Sequence, residues 1–236
     1  MPPRPILVGT SGFSYPAWKG TFYPPKLPAN KMLQHYATVF RSVEINLTFR
    51  QFPSETLLAG WQRVTPPGFQ FVCKAPQTIT HRRRLKDDAS TDAAAFWNRL
   101  ATLGPQRGPV LFQLPPNLKA DPARLETFLA ALPADLDAVF EFRHDSWFVD
   151  PIFETLQRHH AALCIADSDT LTTPVVASAP FGYLRLRRAE YTPAALATWA
   201  TVARETQGWE RVYVYFKHED EGRGPVFAQQ FLELLG

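Results

Sequence analysis

The chain has 236 residues, with 25 Lys+Arg against 22 Asp+Glu, 45% hydrophobic and 20% charged residues, 22 prolines and 12 glycines. This composition excludes collagen, coiled coil and wholesale disorder, and the length is ample for a buried core. No apolar run approaches the roughly 20 residues of a membrane helix. The opening Met1-Pro-Pro-Arg-Pro also lacks the roughly 7–15-residue apolar stretch of a secretory signal, so a cytoplasmic protein with no membrane partner is expected. Two cysteines, Cys73 and Cys164, make no disulfide framework, and neither belongs to a Cys-x-x-Cys pair.

The net charge of +3 hides an asymmetry. Residues 1–118 carry 14 Lys+Arg against 5 Asp+Glu, and the remainder carries 11 against 17. Such an imbalance marks a polyanion-binding surface, unless both halves fold together and their charges intermingle.

Short β-rich runs alternate with helical patterns along the whole chain. Strands are predicted over residues 6–10, 42–46, 70–74, 110–114, 137–142, 163–167, 183–186 and 211–216, each bounded by Gly, Pro or polar turn residues. Helices are predicted over 31–40, 54–64, 91–103, 122–132, 151–159, 193–205 and 225–235. Their apolar residues repeat at helical spacing, as in Leu125, Phe128, Leu129 and Leu132. Asp121-Pro122, Asp150-Pro151 and Thr192-Pro193 are cap-then-proline starts. No helix is expected over 168–180. Eight strands alternating with helices predict a single-domain (β/α)8 barrel, irregular between the sixth and seventh strands. A doubly wound sheet is disfavoured because Gly9-Thr-Ser-Gly12 lacks the dinucleotide-binding spacing.

Polar residues recur on one face of these strands. Glu44 and Asn46, Gln113, Glu141 and Arg143, Arg185 and Arg187, Tyr215 and Lys217 keep a period of two, while Lys74 and Asp167 end their strands. Buried charge is costly unless paired, so this ring forms either a polar site at the C-terminal mouth, where such barrels place their chemistry, or a self-satisfied ion-pair layer.

The blocks Val8-Gly-Thr-Ser-Gly-Phe-Ser-Tyr-Pro-Ala-Trp18-Lys-Gly, Phe22-Tyr-Pro and Val43-Glu-Ile-Asn46 with Thr48-Phe49 resemble the domain-of-unknown-function 72, or YecE-like, family. So do Phe71-Val-Cys-Lys74 with Ile79-Thr-His81, Phe112-Gln-Leu-Pro-Pro116, Glu141-Phe-Arg-His144 with Ser146-Trp147, Tyr183-Leu-Arg185, and Val212-Tyr-Val-Tyr-Phe216 with Glu221-Gly222. The resemblance spans nearly the whole chain in order. It implies a TIM barrel related in shape to xylose isomerase and endonuclease IV, and it supplies no reaction. The chain departs from the family pattern at Arg50, at Arg187-Arg188 and at Lys217-His218, each time adding positive charge near the mouth.

Four chemistries follow from these residues. Glu44 and Glu141 form a candidate acid–base pair, with His144 as a proton relay or a cap on the Asp145-Ser146-Trp147 turn. Arg143, Arg185, Arg187, Lys74 and Lys217 converge as an anion site, with Asn46, Gln113 and Tyr215 as further substrate contacts and Tyr15 and Trp18 as stacking platforms. A desolvated Lys74 could form a Schiff base, although pairing with Glu44 is the simpler reading. No cofactor is expected, with one magnesium or manganese ion on Glu44, Glu141 and Asp167 as the exception that oxygen ligands would allow. Cys73 and Cys164 are expected to point outward as inert core thiols. The leading expectation is an enzyme acting on an anionic small molecule, a phosphorylated sugar or nucleotide. The alternatives are a nucleic-acid-binding protein using the loop Arg82, Arg83 and Arg84 beside the mouth, and a barrel that serves only as a scaffold.

Overall fold

The computed structural model describes residues 4–217 and 222–236. His218 and Glu221, quoted above, lie outside the described residues. Eight parallel strands form one sheet: β1 Ile6–Thr10, β2 Ser42–Ile45, β3 Gln70–Lys74, β4 Arg107–Gln113, β5 Ala138–Glu141, β6 Ala162–Asp167, β7 Phe181–Leu186 and β8 Arg211–Phe216. Helices α1 Met32–Val39, α2 Glu55–Val64, α3 Ala89–Leu100, α4 Pro122–Ala130, α5 Asp150–Arg158, α6 Pro193–Glu205 and α7 Arg223–Leu235 alternate with them. The strand order β1-β8-β7-β6-β5-β4-β3-β2 brings the ends of the sheet together as a nearly closed TIM-barrel-like ring. As the sequence predicts, no helix separates β6 from β7. No helix among the described residues is long and apolar enough to cross a membrane.

Local chemistry sets the element boundaries. Asp121 accepts the N–H of Arg124 and Thr192 accepts that of Ala195, each just before a helix-opening proline. At α5 the cap position falls on Val149, and Asp150 lies inside the first turn, where its charge suits the helix dipole. Ser54 caps α2 rather than opening it.

Two apolar layers hold the fold. Val43, Ile45, Phe71, Cys73, Phe112, Phe140, Ile165 and Leu184 face the helices. Val72, Leu111, Val139, Ala162, Cys164, Ala166, Tyr183, Tyr213 and Tyr215 fill the barrel interior. Cys73 therefore points outward as expected, but Cys164 points inward. It shares its face with Ala162 and Ala166, so Asp167, at the opposite parity, points out toward the helices.

The ring closes in an unusual way between β1 and β2. Seven junctions are registered ladders. The eighth has a single backbone bridge, Ser11 to Glu44, with Gly12 N–H donating to the Glu44 carbonyl at 2.7 Å. Below it the Tyr36 hydroxyl, from α1, accepts the Thr10 N–H at 2.8 Å and donates to the Ser42 carbonyl at 3.0 Å. The strands approach so closely here that a Cβ on Gly9 would lie 2.1 Å from the Ser42 carbonyl oxygen. Only glycine fits at that position.

Candidate functional site at the barrel mouth

The inward parity of β2, β4, β5 and β7 delivers Glu44, Gln113, Glu141 and Arg185 to one layer at the top of the barrel. Arg185 stands at its centre, 1% exposed. Its Nε donates to both Glu44 oxygens at 3.1 and 2.9 Å and Nη2 donates to Oε1 at 2.7 Å, while Nη1 donates to Glu141 Oε2 at 2.6 Å. Glu44 also accepts from Ser11 Oγ at 2.7 Å and from the Tyr183 hydroxyl at 2.6 Å. Glu141 accepts from Gln113 Nε2 at 2.8 Å, Arg143 Nε at 2.9 Å and Arg187 Nη1 at 3.3 Å. Burial would raise both carboxyls, but the Arg185 guanidinium and the hydrogen bonds outweigh it and hold both below the usual carboxylate range.

The acid–base expectation asks for a different arrangement. A general acid needs a carboxyl pushed up toward neutral pH, and a pair sharing the work needs environments that drive the two apart. In this structure Glu44 and Glu141 are both held below the usual carboxylate range, and both accept from Arg185. The proposed magnesium or manganese ligand set does not assemble either, because Arg185 stands between the glutamates and Asp167 faces away. Among the described residues no group of three or more His, Cys, Asp or Glu gathers where a metal ion could bind.

Two further guanidiniums pair with Glu141 from its outer side. Arg143 and Arg187 share a single oxygen of Glu141, and each keeps about a quarter of its side chain exposed. Both line a pocket of about 450 Å³ with Pro116, Asp145, Ser168, Asp169, Thr170 and Leu171, at the C-terminal ends of β4, β5, β6 and β7. Burial lowers the pKa of Arg187, as do the neighbouring charges of Arg143 and Arg185. Within the layer three guanidiniums stand against Glu44 and Glu141, and Asp145 and Asp169 add two carboxylates to the lining of the pocket.

Lys74 is a further cation of this layer. It is 9% exposed and donates to Gln113 Oε1 at 2.7 Å, with its nitrogen 4.1 Å from the centre of the Phe49 ring. The expected pairing with Glu44 is absent, since Arg185 occupies that carboxylate. Burial pushes the amine down to about 7, helped by Arg185 and Arg143 and opposed by the two glutamates.

Residues 7–236 match the family model described as "Protein of unknown function DUF72". The chain belongs to the DUF72 family. A DUF72 protein of Thermotoga maritima, known from a crystal structure, superposes with a TM-score of 0.87 at 28% identity, over 98% of this chain and 99% of that one. UPF0759 protein YunF of Bacillus subtilis is 30% identical over 156 residues, 63% of this chain and 54% of that protein. UPF0759 protein YecE of Escherichia coli K12 is 32% identical over 147 residues, 61% and 50% of the two chains. The matches thus cover about half the length of these curated relatives.

The other expected site residues of this DUF72 barrel are dispersed. Asp167 accepts from Arg188 Nε at 2.8 Å, Tyr191 at 3.1 Å and Trp199 Nε1 at 3.1 Å, pinning β6 to α6 away from the mouth. His144 Nδ1 accepts the Ser146 N–H at 3.2 Å, which makes it the cap of its turn. Trp18 is fully buried against Tyr15 and Tyr23 and is no exposed platform. Tyr15 and Asn46 line a separate pocket of about 390 Å³ with Gly12, Phe13 and Trp61, and Asn46 Nδ2 is buried with no hydrogen-bond partner among the described residues. Tyr215 is buried inside the barrel, 2.5 Å from Ser42 Oγ. Lys217 follows β8, half-buried, with its N–H on the Leu186 carbonyl. In the basic loop, Arg83 pairs with Asp92 at 2.9 Å and Arg84 reaches Asn117 at 3.3 Å, while Arg82 is exposed. Sequence reasoning passed over Ser11 and Tyr183 as carboxylate partners, although both continue the inward parity of their strands. Phe49 and His81 enter the sequence reading only within the family blocks and without a role at the mouth, because they lie in short helical turns after β2 and β3 where no strand periodicity marks them.

Proposed function

We propose that this protein is an enzyme acting on a small anionic molecule, a phosphorylated sugar or nucleotide, held at the barrel mouth by Arg143 and Arg187. The observation that carries this reading is the pair of partly exposed guanidiniums sharing one buried carboxylate oxygen and opening onto the same pocket. Arginine forks match phosphate and carboxylate oxygens bidentately, and an arriving anion would relieve the repulsion between the two. Asp145 on the rim, with Ser168 and Thr170, suits sugar hydroxyls. Glu141 fixes both guanidiniums from below, and Glu44 fixes Arg185. The C-terminal face is also where barrels of this type carry their chemistry. The nucleic-acid alternative draws less support, because two of its three loop arginines are engaged within the protein.

Calorimetric titration with inorganic phosphate, ribose 5-phosphate and AMP tests the reading. Binding of at least one phosphorylated compound, weakened about tenfold or more by Arg143→Gln or Arg187→Gln, is expected, a charge-assisted bond being worth about 1.5–3 kcal/mol. Absence of binding by all three overturns it. So would tight oligonucleotide binding that falls steeply with salt and disappears in Arg82→Ala.

A further inference from the structure

The groups around Lys74 differ from those around the three arginines of the mouth. Arg143, Arg185 and Arg187 each touch a carboxylate. Among the described residues no carboxylate lies within 4.0 Å of Lys74, whose one hydrogen-bond partner is the neutral Gln113 amide. Gln113 in turn spends its own N–H on Glu141, so its oxygen is locked toward the amine. Phe49 covers another side of the nitrogen at 4.1 Å, and His81 packs edge-on against that same ring with centroids 4.9 Å apart. A lysine with a fixed neutral acceptor, an aromatic wall and a small opening to solvent is built unlike a structural ion pair.

We propose that Lys74 Nζ is a catalytic nucleophile that forms an imine with an aldehyde or ketone carbonyl of the substrate. The lone pair of the neutral amine adds to the carbonyl carbon. The carbonyl oxygen then leaves as water, carrying away both hydrogens of the NH2 group overall, and a C=N bond replaces C=O. No oxidant or reductant is consumed. Desolvation and neighbouring cations are what supply neutral amine at neutral pH. With its pKa near 7, Lys74 is about half unprotonated at pH 7, against roughly 3 parts in 10,000 for a lysine at 10.5. Burial first, then the charges of Lys74, Arg143 and Arg84, lowers the pKa of His81. The inference deepens the proposed function by naming a phosphorylated carbonyl compound as the substrate class, and it rests on that reading only for the phosphate.

Incubation of the full chain with glyceraldehyde 3-phosphate and cyanoborohydride, followed by peptide mass mapping, tests it. Lys74 should be alkylated at least about tenfold faster at pH 7 than the exposed Lys26 and Lys119, with a rate that rises through pH 7 and then levels. Labelling of Lys74 no faster than those lysines, or a rate still climbing at pH 9, overturns the proposal. Unphosphorylated glyceraldehyde separates the two readings. Equal labelling of Lys74 by both aldehydes, without protection by inorganic phosphate, would keep the amine and remove the anion site. Calorimetric binding of phosphate with no adduct at Lys74 would do the reverse.

Discussion

Arg185→Leu is the sharpest perturbation of the mouth. The guanidinium makes three contacts to Glu44 and one to Glu141, all between 2.6 and 3.1 Å, and both carboxylates are fully buried. Without it Glu141 keeps Arg143, Arg187 and Gln113, but Glu44 keeps only the hydroxyls of Ser11 and Tyr183. One buried charge is thereby left without a cation, which costs about 3–5 kcal/mol. For a chain of this size that lowers Tm by about 6–10 °C, at about 2 °C per kcal/mol. The pH dependence should invert as well. In the native protein the carboxyl pKa of Glu44 is lowered, so its contribution is present above the unfolded value of 4.5 and is lost as pH falls through the folded value. In the variant, burial raises that pKa, the folded state takes up a proton that the unfolded state does not, and stability rises as pH falls from 7 toward 5. Thermal unfolding by circular dichroism at pH 5, 6 and 7 reads both effects. Adding Glu44→Gln should recover about 2 kcal/mol or more, because the orphaned charge is gone. An Arg185→Leu protein within about 2 °C of native Tm, with an unchanged pH slope, would refute the reasoning.

Four further outcomes follow from the same geometry. Tyr36→Phe leaves the buried Thr10 N–H and Ser42 carbonyl unpaired and should cost about 1–3 kcal/mol in urea unfolding; Gly9→Ala forces the same strands apart and should cost at least as much. Asp167→Asn weakens the bonds to Arg188, Tyr191 and Trp199 and should lower Tm, yet leave the affinity for inorganic phosphate within about twofold, whereas a tenfold loss would return Asp167 to the site. Lys74 has a lowered folded pKa, so between pH 7 and 10.5 the unfolded chain binds more protons and stability rises with pH; Lys74→Gln should flatten that slope.

The alternation of polar residues in β2, β4, β5, β7 and β8 was legible because each strand mixes charged and apolar positions, so a period of two separates the faces. β6 reads Ala-Leu-Cys-Ile-Ala-Asp, apolar on both faces until its last residue. Such a run, buried on both sides, carries no alternation to count from. That is why Asp167 and Cys164 were placed on the wrong faces. The aromatic loop failed for a different reason. Trp18, Tyr15 and Tyr23 would look the same in sequence as a stacking platform or as a packed cluster, and only the fold of residues 12–25 onto α1 decides it. Partner choice was the third gap. A ring of charges could be inferred from the strands, but the pairing of Arg185 with both glutamates, which left Lys74 to Gln113, depends on distances across the barrel that spacing along the chain does not carry.

Closure of the ring by a tyrosine hydroxyl bears on the order of assembly. The seven laddered junctions can zip strand by strand, each adding main-chain bonds as it forms. The β1–β2 junction cannot, because its central contact is supplied by α1 and exists only once that helix has docked. Joining β1 to β2 is therefore expected to be the last event of folding and the first of unfolding, with the remaining strands persisting as an open, curved sheet. Loss of the Tyr36 hydroxyl should then leave the folding rate nearly unchanged and appear almost wholly as faster unfolding.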